Sequence, residues 1–282
     1  MPFDVMLLVL VGAALHAGWN ALVKAGGDKL VDTVAVAIGS ALVAAVALPF
    51  LPLPARASWP CIAASAAIHL GYFVLVAAAY QAGEMSLAYP LMRGVAPLVV
   101  AATSGGLLGE ELRPGGWVGI GLICGGVLAL ALPGHGPAPA GARRVRAVAL
   151  ALANAVVIAA YTLVDGLGAR LSGDPVAYTF WLLLLASPPL VLAVRARRGG
   201  LAVKLIRRWR VVVIGGCCTA ASYTLALWAM TQAPIAAVAA LRETSILFGV
   251  ALAAIVLRER PGWRRQAAAT AIACGAAALR LA

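Results

Sequence analysis

Long apolar stretches separated by short polar joints run the length of the chain. Charged residues are absent from 5–23, 33–55, 57–83, 114–142, 147–164, 175–194 and 211–241. A helix needs about 20 apolar residues to cross a bilayer core, and uncharged runs of about 18 or more are read as spans. Dividing the chain at charges, prolines and glycines predicts ten helices. They fall at about 5–23, 33–51, 59–80, 85–108, 115–132, 147–168, 176–194, 211–231, 234–257 and 266–281. The fold class expected is an all-α integral membrane protein. The first stretch has no basic region ahead of it and is followed by more spans, so it is not read as a cleavable signal.

Composition agrees with this pattern. Of 282 residues, 63% are hydrophobic and 11% charged, against about 25% charged in soluble domains. The net charge of +12 comes from Lys and Arg placed between apolar stretches, which is the signature of membrane topology and not of a nucleic-acid surface. The five cysteines (Cys61, Cys124, Cys217, Cys218, Cys274) lie in or beside apolar segments without metal-ligand spacing. No metal site and no cofactor are expected.

The chain also repeats itself. Residues 133–145 are rich in Pro and Gly and read as a linker, dividing a first half, 1–132, from a second, 146–282. Tyr80-Gln81-Ala82 is echoed by Thr231-Gln232-Ala233. Arg93 and Glu110 have the same spacing as Arg242 and Glu259, and Pro114-Gly115-Gly116-Trp117 is echoed by Pro261-Gly262-Trp263. Three matches in one order argue for duplication. Five helices per copy would enter the second copy from the opposite side, giving inverted repeats around a central cavity, as in many secondary transporters. Alternating the loops between two faces puts 16 basic residues on one face and 4 (Arg56, Arg113, Arg170 and Arg280) on the other. The richer face is then cytoplasmic and both termini lie outside.

The segment His16-Ala17-Gly18-Trp19-Asn20-Ala21-Leu22-Val23-Lys24 and the ends of the fourth and ninth helices carry a family likeness. There, Gly109-Glu110-Glu111 with Pro114-Gly115-Gly116-Trp117, and Arg258-Glu259-Arg260-Pro261, match a Leu-Gly-Glu segment. In these residues, and across essentially its whole length, the chain resembles EamA-type permeases of the drug/metabolite transporter superfamily. Arg258 stands where that family usually has Gly. The resemblance implies a transporter of small organic metabolites in a bacterial-type inner membrane, with helices 1, 3, 4, 6, 8 and 9 around the cavity. It does not name the solute.

Four charges fall well inside the expected spans: Arg93, Asp165, Arg242 and Glu243. Such residues cost roughly 2.5–3.5 kcal/mol each on insertion scales and usually face a bundle interior or a cavity. Arg93 and Arg242 each stand eight residues into their helices, roughly 12 Å deep at 1.5 Å per residue. A guanidinium binds carboxylate or phosphate with a planar fork and keeps its charge, so both arginines are candidate contacts for an anionic group. The competing reading is structural: Glu243 or Asp165 neutralises Arg242, and backbone carbonyls satisfy Arg93. Glu243 and Asp165 are also candidates for proton coupling, with Asp165 placed near a helix end at the interface.

Polar and aromatic positions recur at helical spacing. His16, Asn20 and Lys24 share a face of the first helix beside Trp19, and Ser65, His69 and Tyr72 share one in the third. Ser86, Tyr89 and Arg93 align in the fourth, Asn154, Tyr161 and Asp165 in the sixth, and Thr219, Ser222, Tyr223 and Trp228 in the eighth. They line a cavity or act as interhelical glue worth about 0.6 kcal/mol per hydrogen bond. His16, Trp19, Asn20, His69, Tyr72, Tyr89, Tyr161 and Tyr223 join the two arginines as substrate-site candidates. Pro90 and Pro97 are expected to kink the fourth helix. The Gly115/Gly119 and Gly121/Gly125 pairs suit close packing within one chain or in a homodimer. The basic run from Arg195 to Arg210 serves topology and adds contact with anionic lipid.

A membrane enzyme would need a zinc motif or a nucleophile with its base, which the sequence does not show. A channel would favour rings of like residues in a symmetric oligomer, and an assembly factor would usually carry a soluble domain. Those remain the alternatives to a secondary transporter, read as an exporter, that works by alternating access. Its expected partners are a small-molecule substrate and the lipid bilayer, as monomer or homodimer, with no nucleic acid.

Overall fold

A computed structural model describes residues 1–83, 85–130, 141–197, 200–257 and 262–282. Much of the linker and the Arg258-Glu259-Arg260-Pro261 segment lie outside the described residues. Among those described there is no strand. The helices are α1 (Phe3–Ala25), α2 (Lys29–Ala47), α3 (Trp59–Ala82), α4 (Met85–Leu108), α5 (Pro114–Ala129) and α6 (Ala142–Leu171). They continue as α7 (Pro175–Arg197), α8 (Leu201–Arg207), α9 (Gly216–Gln232), α10 (Ile235–Arg242), α11 (Ser245–Leu257) and α12 (Trp263–Leu281).

Local chemistry starts these helices where the chain breaks demand it. Asp28 caps α2, its Oδ1 accepting from the Val31 amide at 3.3 Å, and Asp174 Oδ1 accepts from Val176 and Ala177 at the start of α7. These are the short acceptors that satisfy otherwise unpaired first-turn amides. Pro114 opens α5, where its missing N–H costs nothing. Among the described residues eight helical segments are long and apolar enough to cross a membrane, and Pro114–Ala129 is apolar but shorter. α12, near the last expected position, carries Arg264, Arg265 and Arg280 and is not among these segments. The expected count of ten spans is therefore not reached by length and apolarity alone.

The outer surface is a belt of bare apolar side chains, among them Val46, Val74, Leu107, Val118 and Leu192. That surface suits lipid and not water. Inside, the pairing maps onto itself when the halves are exchanged. α3 packs on α6 as α9 packs on α1, and α3 on α7 as α9 on α2. α5 and α12, the last helices of the two halves, pack on each other.

Glycines set the closest crossings. A Cβ on Gly39 of α2 would lie 1.8 Å from the Val212 carbonyl oxygen, so α2 and the start of the α9 span touch backbone to backbone. Between α5 and α12, a Cβ on Gly119 would lie 2.9 Å from the Gly275 carbonyl oxygen. Gly121 and Gly125 meet nothing within 4 Å. Of the two spaced pairs read from the sequence, the first serves packing inside the chain and the second faces outward.

Two expectations need correction. The ninth span is not one helix: it stops at Arg242 and resumes at Ser245 as α11. α4, with Pro90 and Pro97 inside it, is assigned as one helix of 24 residues. The basic joint after α7 is not plain loop but folds α8 and leads into a π turn at Val211–Gly215.

Candidate functional site

Arg93 projects from the middle of α4 and donates through Nε to Glu243 Oε2 at 2.8 Å. Their side chains are 12% and 6% exposed. Glu243 stands at the interruption between α10 and α11, where its amide and that of Thr244 turn back to the Ala240 and Leu241 carbonyls. The Thr244 hydroxyl donates to Leu241 as well. These short-range bonds satisfy backbone groups that an uninterrupted helix would pair four residues away.

The interruption also solves an orientation problem. Neighbouring residues in an α-helix point about 100° apart, yet Arg242 and Glu243 line one cavity, along with Arg93, Pro97, Tyr161 and Thr162. Its volume is about 20 Å³. That holds a water molecule but no organic solute, so the walls must part for anything larger to enter.

Arg242 is half-buried, and its guanidinium carbon lies 5.2 Å over the centre of the Tyr223 ring. Among the described residues its side chain makes no ion pair and no hydrogen bond. Neither Glu243 nor Asp165, weighed from the sequence as its neutralising partner, is in direct contact with its guanidinium. Glu243 is taken by Arg93, and Asp165 accepts hydrogen bonds from the hydroxyls of Tyr178, at 3.1 Å, and Tyr223. Asp165 is wholly buried, and α6 continues six residues beyond it to Leu171. Asp165 is thus enclosed by protein, further from the end of its helix than the expected span of 147–168 placed it.

Aromatic rings connect the two clusters. His69 stacks on Tyr161 at 4.4 Å between centroids, Tyr72 meets Tyr161 edge-on at 5.9 Å, and His69 meets Tyr223 edge-on at 6.4 Å. Nδ1 of His69 lies 2.8 Å from the Ser65 carbonyl oxygen. A carbonyl only accepts, so this nitrogen carries a proton and donates. Arg93, Arg242, Tyr161 and Glu243 thus form the cavity wall, with His69, Tyr72, Tyr223 and Asp165 behind it.

The remaining candidates lie outside the cavity lining. On α1, His16 and Trp19 pack edge to face at 5.1 Å, and Asn20 donates to the His16 carbonyl of its own helix at 2.8 Å. Tyr89 stands one turn before Arg93 on α4. None of these four lines the cavity. Trp19 keeps a buried indole N–H without a partner.

Sequence reasoning passed over a second junction between the halves. Both Glu110 carboxylate oxygens accept from the Ile235 amide, at 2.9 and 3.0 Å, capping α10 from across the molecule. Arg170 pairs with Glu110 and donates to the carbonyls of Met230 and Ala233 at 2.8 and 3.1 Å. A carboxylate at a helix start and a cation at a helix end both match the helix dipole. The signal was present in Glu110 of the repeated motif and in Arg170, one of the few basic residues on the poorer face.

A polytopic all-α membrane protein with buried charges meeting between its two halves has the architecture of a solute transporter. The chain belongs to the EamA-like transporter family, whose profile matches residues 5–132 and 145–281, and thereby to the drug/metabolite transporter superfamily. Twenty-seven chains of solved structures are similar. One crystal structure superposes over 100% of this chain and 98% of its own with a TM-score of 0.75, at 19% identity. At that identity the likeness is one of fold. No curated protein matches.

Proposed function

We propose that this protein is a secondary carrier of a small organic solute with an anionic group, exporting it across a bacterial-type inner membrane by alternating access. On this reading residues 1–132 and 146–282 are inverted repeats joined by 133–145, and the cavity between them is the transport site. The observation that carries it is Arg242, a half-buried cation without a hydrogen-bonded partner in the wall of a cavity at a helix interruption. Discontinuous helices near the midplane are where such carriers commonly bind solute.

Charge bookkeeping favours a monoanion. Two guanidiniums and one carboxylate give the wall one net positive charge, which one anionic group would neutralise. That group is held by the planar fork of Arg242, against a ring system that excludes water. If it also reaches Arg93 it competes with Glu243. The displaced carboxylate then needs a proton to remain in a dry site, and solute and proton move together. Because the cavity admits no organic solute as it stands, binding requires the interrupted α10–α11 span and α4 to separate. That is the motion alternating access needs.

The experiment is exchange in proteoliposomes against a panel of amino acids, phosphonates and other organic anions. Saturable uptake with counterflow in the wild type, lost in Arg242→Gln at equal membrane abundance, is the expected result. Undiminished exchange by that variant removes Arg242 from the site, and unsaturable flux without counterflow indicates a channel. Sidedness of accumulation in inside-out vesicles separates export from import.

A further inference from the structure

The joint between α7 and the α9 span is more than a topological tag. α8 has two inward positions, Leu201 and Leu205, packed with Val31, Val34, Leu190 and Val194. A different arc of the same helix presents Val203 and Ile206, 57% and 73% exposed, and Trp209 just beyond it is 59% exposed. Lys204 and Arg207, one turn apart, lie between these two arcs at about 100° per residue. A short helix with a bare apolar arc, a basic arc and a tryptophan at its end has the composition of a segment lying in a membrane interface.

Under this helix is a cavity of about 250 Å³ lined by Asp28, Val31, Lys204, Arg207 and Arg208. The first turn of α2 forms its other wall. The two acidic side chains there are already employed. Asp28 caps α2, and buried Asp32 takes the Arg208 Nη1 at 2.8 and 2.9 Å. Arg208 is thus fixed in place, while the side chains of Lys204 and Arg207 make no ion pair or hydrogen bond among the described residues. Two uncommitted cations flank a concave space, beside an apolar arc facing outward.

From this arrangement the structure assigns the α8–α2 recess as a binding site for the phosphate of an anionic phospholipid in the leaflet on the basic side. Lys204 and Arg207 hold the phosphodiester, and the acyl chains run along Val203, Ile206 and Trp209. The recess is just under the roughly 300–1,000 Å³ of ordinary ligand pockets, a size suited to a headgroup. Free phosphate would leave the apolar arc uncovered, which is why the lipid is the favoured source. Because α8 joins directly to the π turn and α9, a lipid seated here braces the α2–α9 contact. This assignment does not depend on the transport reading.

Native mass spectrometry of the purified protein with phosphatidylglycerol or phosphatidylcholine tests it. The wild type should retain an anionic lipid that phosphatidylcholine does not replace. Each of Lys204→Gln and Arg207→Gln should weaken retention roughly fivefold, and the double variant on the order of thirtyfold. Arg143→Gln with Arg144→Gln, basic residues elsewhere, should leave retention unchanged. Equal loss in that control pair would show a diffuse field and no site. Displacement of the lipid by inorganic phosphate alone would make phosphate the ligand. Either result overturns the assignment. The singly substituted side chains are exposed, so unfolding is not expected, and an unchanged melting temperature verifies it.

Discussion

Arg93 of α4 and Glu243, at the interruption after α10, form a buried ion pair across 150 residues of chain. One member belongs to each half, so the pair ties the middle of an unbroken helix to the point where another helix stops. A buried pair of this kind is poor evidence of stability in itself, because desolvation offsets much of the attraction. Its weight lies in what happens when one partner leaves.

Glu243→Ala would strand the Arg93 charge. Breaking such a pair typically costs about 3–5 kcal/mol, so a clear fall in the thermal midpoint of purified protein is expected. Adding Arg93→Gln should recover most of that loss, as a double-mutant cycle would show. Additive losses in the cycle would mean the two side chains contribute separately.

Glu110→Gln should weaken the second junction. The substitution takes charge from the α10 cap and from the Arg170 pair. A lost cap is worth about 0.5–2 kcal/mol, visible as a lowered melting temperature, with faster amide hydrogen exchange at Ile235 and the following residues of α10. Unchanged exchange there would show that Pro234 alone holds the helix start.

Asp165→Asn separates a proton carrier from a structural acceptor. Asn still offers an oxygen to Tyr178 or Tyr223 but cannot gain or lose a proton. Solute exchange and accumulation driven by an imposed proton gradient should both persist in this variant, since the coupling proton is assigned to Glu243. Loss of gradient-driven accumulation alone would make Asp165 the proton carrier. Gradient-driven accumulation equal to wild type would leave Asp165 as an anchor for the two tyrosines.

Gly39→Ala places a methyl where the Val212 carbonyl oxygen already sits. Overpacking of this kind costs roughly 1–3 kcal/mol, and thermal unfolding should register it. Gly121→Ala, which meets open space, should be neutral or gain a few tenths up to about 1 kcal/mol from reduced chain entropy. Equal destabilisation by both would mean helix geometry, not contact, governs the response.

The residues themselves settled the solvent, the class and the repeated pattern. Uncharged runs of span length can bury their backbone only as helices in lipid, and matched motifs mark the duplication. Four intramembrane charges announced themselves because each is costly where it stands. The sequence could not reveal their partners, since Arg93 and Glu243 meet through packing between distant helices while Arg242 and Glu243 are mere neighbours in the chain. Nor did it place the interruption. Two prolines marked α4, which stays continuous, whereas α10 ends at Arg242 without one, held by bonds of Glu243 and Thr244 to the preceding turn. Asp165 looked close to a helix end by its position in the chain, yet α6 extends to Leu171 and two tyrosines close over its carboxylate. Pattern fixes which residues must avoid lipid; only the packed helices decide which of them meet.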